Sequence, residues 1–157
     1  MIYLITIKNS YRFEEMKKVQ AKRNFSAKRE AIYQTLASTK THPTAEWVYE
    51  QLKPKIPDLS LGTVYRNISV FREMGLAKSV GVVNGQERFD TDMSKHSHFV
   101  CSKCFKIIDV PKGKNFVDSN IYEYVERECK VKIENHSIMF YGVCRECENV
   151  KDCMSIS

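Results

Sequence analysis

The chain has 157 residues, 43% hydrophobic and 28% charged, enough apolar material to bury a core and too much for wholesale disorder. Its net charge of +6 lies wholly in the first half: residues 1–78 carry 14 Lys/Arg against 7 Asp/Glu, and residues 79–157 carry 11 against 12. No run of about 18 apolar residues occurs, so no membrane span is expected, and Met1–Ile7 is too short and lacks the basic lead of a signal peptide.

In chain order, residues 11–24 read as a charged helix or arm, with residues 1–15 and a start at Met16 left open. Ser26 can cap a short helix from Ala27 to Leu36, with Ile32 and Leu36 one turn apart. Thr44 can cap a second helix through Leu52, ended by Pro54 and Pro57. Ser60 can cap a third, from Leu61 to about Met74, with Gly75 placed to terminate it. On this helix Leu61, Val64, Ile68 and Phe71 form one apolar stripe. The opposite face carries Thr63, Tyr65, Arg66, Ser69 and Arg72 and no acid. Leu76–Val83 and Gln86–Asp90 then flank Asn84-Gly85, a strong hairpin signal. Three helices and a two-stranded wing describe a winged helix-turn-helix, whose last helix enters the major groove of double-stranded DNA. The DNA-facing set is Arg29, Ser60, Thr63, Tyr65 and Arg66. Tyr65 and Arg66 are expected on bases, and Lys22, Arg23 and Arg29 on phosphates.

The remainder reads as a small α/β unit, giving an α+β chain with domains at 1–90 and 91–157. Strands are expected on both sides of Cys101-x-x-Cys104 within residues 98–110. A helix over 116–129 follows, with Ile121, Val125 and Cys129 on one face and Cys129 in the core. Alternation over 131–143 predicts a strand ending at Cys144. Each C-x-x-C can close two vertices of a tetrahedron, so Cys101, Cys104, Cys144 and Cys147 form the all-thiolate shell of a structural zinc site. Such a shell leaves no open position for chemistry. Without a secretory signal these pairs read as ligands rather than disulfides, in a reducing cytoplasm. Cys153 reads as a tail thiol.

His96 and His98, two apart on an extended segment, point to one side and can grip a second ion. Asp90 and Asp109 are candidate oxygen ligands, and mixed imidazole and carboxylate ligation suits iron(II) or manganese(II) better than copper. If His42 joins this site, metal binding must clamp one domain to the other. His136 is open between ligand and strand residue. The zinc-deaminase pattern of H-x-E with P-C-x-x-C is absent, so no enzyme is expected.

These residues carry a family resemblance. His42-Pro43-Thr44-Ala45, Gly62-Thr63-Val64-Tyr65-Arg66-Asn67, Arg88-Phe89-Asp90, His96–Cys104 and Tyr141–Cys147 stand in order. Together they resemble the ferric uptake regulator superfamily, and within it the peroxide-sensing repressor branch, over residues 25–148. The resemblance implies a homodimer with an N-terminal winged helix and a C-terminal dimerisation domain bearing zinc. It also implies a regulatory iron(II) or manganese(II) site of His42, Asp90, His96, His98 and Asp109. In that branch hydrogen peroxide oxidises a ligand histidine, here His42 or His96, which releases DNA. The alternative reading is a metal-uptake regulator of the superfamily; the iron-uptake regulators among these usually place Glu at position 90 and use flanking ligands where this chain has Lys95 and Ser97. His136, which matches a ligand of that further site, becomes a bystander. Two departures stand out: Phe25–Arg29 differs from relatives' first helix, and Arg66 stands where many peroxide sensors have Asn.

Overall fold

The computed structural model describes residues 27–111 and 119–149. The expectations for residues 1–26, for the first residues of the 116–129 helix and for Cys153 lie outside them. The chain divides into two compact units between Ser94 and Lys95.

In the first unit, α1 (Ala27–Ala37), α2 (Ala45–Leu52) and α3 (Leu61–Glu73) are followed by β1 (Lys78–Val83) and β2 (Gln86–Asp90). Local chemistry sets the boundaries. Thr44 Oγ1 accepts the Trp47 amide at 3.1 Å, and Ser60 Oγ accepts the Thr63 amide at 3.2 Å. Both bonds satisfy N–H groups that helix starts leave open. At the end of α3, Gly75 (φ 64°) turns the chain. Its amide reaches Arg72 O at 3.0 Å and the Leu76 amide reaches Phe71 O at 2.8 Å. These are the two bonds of a Schellman ending. That cap takes up Leu76 and Ala77, so β1 begins at Lys78 rather than Leu76.

The three helices bury Ile32, Tyr33, Leu36, Val48, Leu52, Val64, Ile68 and Phe71 against Leu59, Leu76 and Phe89. Each such side chain contributes on the order of 1.5–3 kcal/mol on burial. The Tyr33 and Phe71 rings meet edge to face at 5.3 Å, a favoured aromatic arrangement. Asn84 (φ 52°) and Gly85 (φ 74°) both take the left-handed conformation. A two-residue type I′ hairpin turn requires it at both positions. The hairpin register sets Lys78 opposite Asp90 and Val83 opposite Gln86.

The second unit contains β3 (Ser97–Cys101), β4 (Ile107–Val110), α4 (Ser119–Cys129), β5 (Met139–Gly142) and a short α5 (Arg145–Glu148). β3 is central, antiparallel to β4 and parallel to β5. A parallel neighbour requires a crossover, which passes through α4. Two expectations need correction. Of residues 131–143 only Met139–Gly142 form a strand, because the pairing with β3 starts at Met139 opposite His98. Cys129 is exposed rather than core, since α4 also leaves Ile121 and Tyr124 exposed. Helical spacing identifies an apolar face but not what covers it.

Candidate metal centres and nucleic-acid interface

The cysteine quartet is assembled by three backbone devices. Cys101 ends β3, and a tight turn to Phe105 (φ 60°) brings Cys104 back beneath it, with the Phe105 amide on Cys101 O at 3.0 Å. Cys144 stands at the N-cap position of α5 and Cys147 sits within that helix. Ser102 then joins the two knuckles, its amide and hydroxyl both donating to Gly142 O at 2.7 and 3.0 Å.

The four sulfurs lie within 4.8 Å of one another, and Cys104 Sγ is 3.8 Å from Cys144 Sγ. A tetrahedron with Zn–S bonds of about 2.3 Å has an edge of about 3.8 Å, so the donor set fits zinc. Burial pushes the Cys101 thiol up. The backbone N–H groups of Cys104, Cys144 and Lys103 outweigh it and bring the thiol to about 6, since hydrogen bonds to a charged form favour that form. Burial raises Cys104, and the Cys101 and Cys144 sulfurs add to the rise. Further thiolates beside Cys101 are thus disfavoured until a cation joins them. Lys103 Nζ donates to Cys147 O at 3.3 Å, and Lys106 pairs with Glu146 at 2.9 Å.

A second grouping lies in the same unit. Strand register sets Asp109 directly opposite His98, with His96 two residues back. The His96 and His98 Nε2 atoms are 3.0 Å apart, and each is 3.6 Å from Asp109 Oδ1. Both imidazoles are nearly buried, the carboxylate about a third exposed. An N···N distance of 3.0 Å serves an imidazole hydrogen bond equally well. It is also the separation of two ligands at a right angle with bonds of about 2.1 Å. The shared approach of Asp109 to both nitrogens favours a centre of three donors. Two nitrogens with a carboxylate oxygen fit iron(II) or manganese(II).

In the first unit, His42 is buried between α1 and α2 with φ 53°. Its carbonyl accepts from Arg88 Nη1 at 3.5 Å, and Pro43 O accepts the Phe89 amide at 3.1 Å, so this loop is fastened along β2. Asp90 ends β2; its Oδ1 accepts the Asp92 amide at 2.7 Å and its Oδ2 lies 3.1 Å from Lys78 Nζ. His136 is exposed, and its ring lies 5.0 Å from that of Tyr122.

The expected DNA-facing residues gather around α3. Ser60 Oγ and Thr63 Oγ1 are 2.8 Å apart, and Arg66 Nη2 donates to Thr63 Oγ1 at 3.1 Å. Tyr65 and Arg66 are exposed. Arg29 from α1 donates through Nε to Asn67 Oδ1 at 2.8 Å, and Asn67 Nδ2 donates to Thr63 O at 2.8 Å. Sequence reasoning missed Asn67, which sits buried beside the apolar stripe. It also missed Glu46: α3 has no acid on its outer face, but α2 brings one, and Tyr65 Oη donates to Glu46 Oε1 at 2.5 Å. Periodicity within one helix carries no signal for either partner.

Fold and site together define a metal-binding winged-helix protein of the regulator type. The family model of the Ferric uptake regulator family matches residues 20–141, and the chain belongs to that family. It is 33% identical over 120 residues to the peroxide-responsive repressor PerR of Staphylococcus epidermidis, covering 76% of this chain and 78% of the relative. Identity to the Staphylococcus aureus protein of that name is 32% over 130 residues, covering 83% and 86%. Among solved structures, the Campylobacter jejuni peroxide stress regulator superposes with a TM-score of 0.60 at 29% identity, covering 86% of this chain and 98% of that one. The Helicobacter pylori ferric uptake regulator Fur shares the fold, with a TM-score of 0.73 at 20% identity over 93% and 95%. No helix among the described residues is long and apolar enough to cross a membrane.

Proposed function

We propose that this chain is a homodimeric, metal-dependent transcriptional repressor of the cytoplasm, a regulator rather than an enzyme, that binds double-stranded operator DNA and senses hydrogen peroxide. The observation that carries this reading is the convergence of His96, His98 and Asp109, reinforced by relatives named as peroxide-responsive repressors. His42 and Asp90, held at β2 in the reading unit, complete the regulatory ligand set in this proposal. The homodimer of this proposal would give the exposed Ile121, Tyr124, Phe140, Tyr141 and Val143 of the second unit a surface to pack against.

Iron(II) held by these residues would supply the electron that opens the hydrogen peroxide O–O bond and would recover one as the ring is oxidised, a reactivity that manganese(II) on the same donors would lack. In net terms one oxygen atom passes from hydrogen peroxide to a carbon of the His42 or His96 ring, and water leaves. An oxidised ring is a poorer donor, so the ligand set loses a member. Ligands drawn from both units would fix the spacing of two recognition helices, which must match half-sites about 34–36 Å apart or a multiple. A complete switch from 1:99 to 99:1 needs about 10⁴-fold preference of the ion for the binding-competent form, roughly 5.5 kcal/mol.

Intact-mass spectrometry after a brief peroxide pulse tests the reading. One added oxygen on His42 or His96 in the iron form, absent in the manganese form, is expected. Metal-dependent DNA binding without histidine oxidation would instead support a metal-uptake regulator, the role that Lys95 and Ser97 disfavour. Oxidation confined to cysteines would overturn both the site and the sensing chemistry.

A further inference from the structure

Tyr65 and Glu46 lie on different helices, and their contact fixes where the phenol proton goes. A phenol has one proton to give and two lone pairs to accept with. At 2.5 Å from Glu46 Oε1, Tyr65 Oη is engaged in a short bond, of the strong kind that a charged acceptor makes. That bond holds the Glu46 carboxyl below the usual carboxylate range. It also pushes the Tyr65 phenol up to about 12. The proton therefore stays on tyrosine and points at the glutamate. Glu46 is well kept there, because it occupies the first turn of α2, where the helix N-terminus favours a negative charge.

What Tyr65 shows to the outside is then a pair of lone pairs and a ring edge, on a side chain 39% exposed. Phosphate oxygens, guanine O6 and N7, adenine N7 and thymine O4 are all acceptors and offer such an oxygen nothing. In the major groove only the N6 amine of adenine and the N4 amine of cytosine donate. We propose that Glu46 is a positioning residue for DNA readout: by accepting the Tyr65 hydroxyl it makes the phenol oxygen an acceptor that reads an exocyclic amine of adenine or cytosine. The inference rests on the DNA-binding reading above and adds to it which base edge Tyr65 recognises and why.

The test uses the full-length manganese-loaded protein and a duplex library with a randomised centre. Wild type, Tyr65→Phe, Glu46→Ala and Glu46→Gln are each carried through selection and competition binding, with circular dichroism and zinc content checking the fold. Wild type should prefer adenine or cytosine at one position of each half-site. Tyr65→Phe and Glu46→Ala should both weaken that preference, on the order of 2- to 12-fold, the range of one net hydrogen bond. Glu46→Gln, whose amide oxygen can still accept, should keep most of it. Both Glu46 variants should bind random DNA more tightly, because a negative charge has left the phosphate-facing surface. A merely structural Glu46 would not move preference at a single base position. If Glu46→Ala retains the wild-type preference while Tyr65→Phe loses it, the positioning role is wrong and the DNA reading stands. If wild type enriches no sequence, the DNA reading itself falls.

Discussion

Lys78 and Asp90 face each other across the hairpin, with Lys78 Nζ 3.1 Å from Asp90 Oδ2 and also 3.3 Å from Ser94 O. The residue proposed as a regulatory ligand thus already holds a cation supplied by the chain. If Asp90 joins the proposed ligand set, an incoming metal ion would have to displace that ammonium. Replacing Lys78 with Met should tighten manganese(II) binding about two- to fivefold, following the ~0.5–1 kcal/mol of a partly exposed ion pair. Calorimetric titration reads this directly, with Asp90→Asn as the companion. Weaker binding in Asp90→Asn with unchanged binding in Lys78→Met would mean that the ammonium does not compete.

Zinc uptake should have an uneven proton count. Near neutral pH Cys101, brought to about 6, is already a thiolate, whereas Cys104 is raised and keeps its proton. Metal binding requires deprotonated sulfur. Uptake near neutral pH should therefore release a proton from Cys104 and almost none from Cys101. As pH falls through about 6, Cys101 adds its own. Calorimetry in two buffers of different ionisation heat counts the protons; a count that stays flat as the solution is made more acidic would contradict the assignment.

Ser60 combines two roles that substitution can separate. Ser60→Ala loses the bond to the Thr63 amide and should cost about 1 kcal/mol of stability. Ser60→Asp keeps a capping oxygen and should hold the melting temperature, yet its negative charge should weaken DNA binding several-fold and more so at low salt. Equal DNA affinity for Ser60→Asp and wild type would remove Ser60 from the interface.

Gly142 is tight against Phe99. A Cβ there would stand 3.1 Å from Phe99 Cε2 and 3.3 Å from Cζ, closer than ordinary contact. Gly142→Ala should destabilise the second unit by about 1 kcal/mol and Gly142→Val by up to about 3 kcal/mol. Gly142 O also receives both donors of Ser102, so zinc retention against a chelator should fall in the same order. Phe99→Leu, which removes the opposing ring, should relieve much of the loss in the double variant.

Much of the first unit is legible in the sequence because its boundaries depend on neighbours three or four residues away. Thr44, Ser60 and Gly75 end helices by bonds within one turn, and Asn84-Gly85 bends the chain within two residues. The cysteine pairs are legible for the same reason, since each spans a single turn. Residues 131–137 mislead because alternation in sequence needs a partner strand to become structure, and the β3–β5 ladder begins only with the Ile138 carbonyl and Met139. Cys129 misleads because spacing on α4 does not reveal whether anything lies against that face.

The sequence by itself determined the helices of the first unit, its wing, the cysteine quartet and the His96–His98 pair, all consequences of local backbone preference and short-range ligand spacing. The tertiary structure alone decided which distant groups meet: Glu46 on Tyr65, Asn67 on Arg29 and Lys78 on Asp90. Those meetings depend on helix packing and strand register, which are set by how whole elements bury their apolar faces, and a one-residue slip in either would have produced other partners.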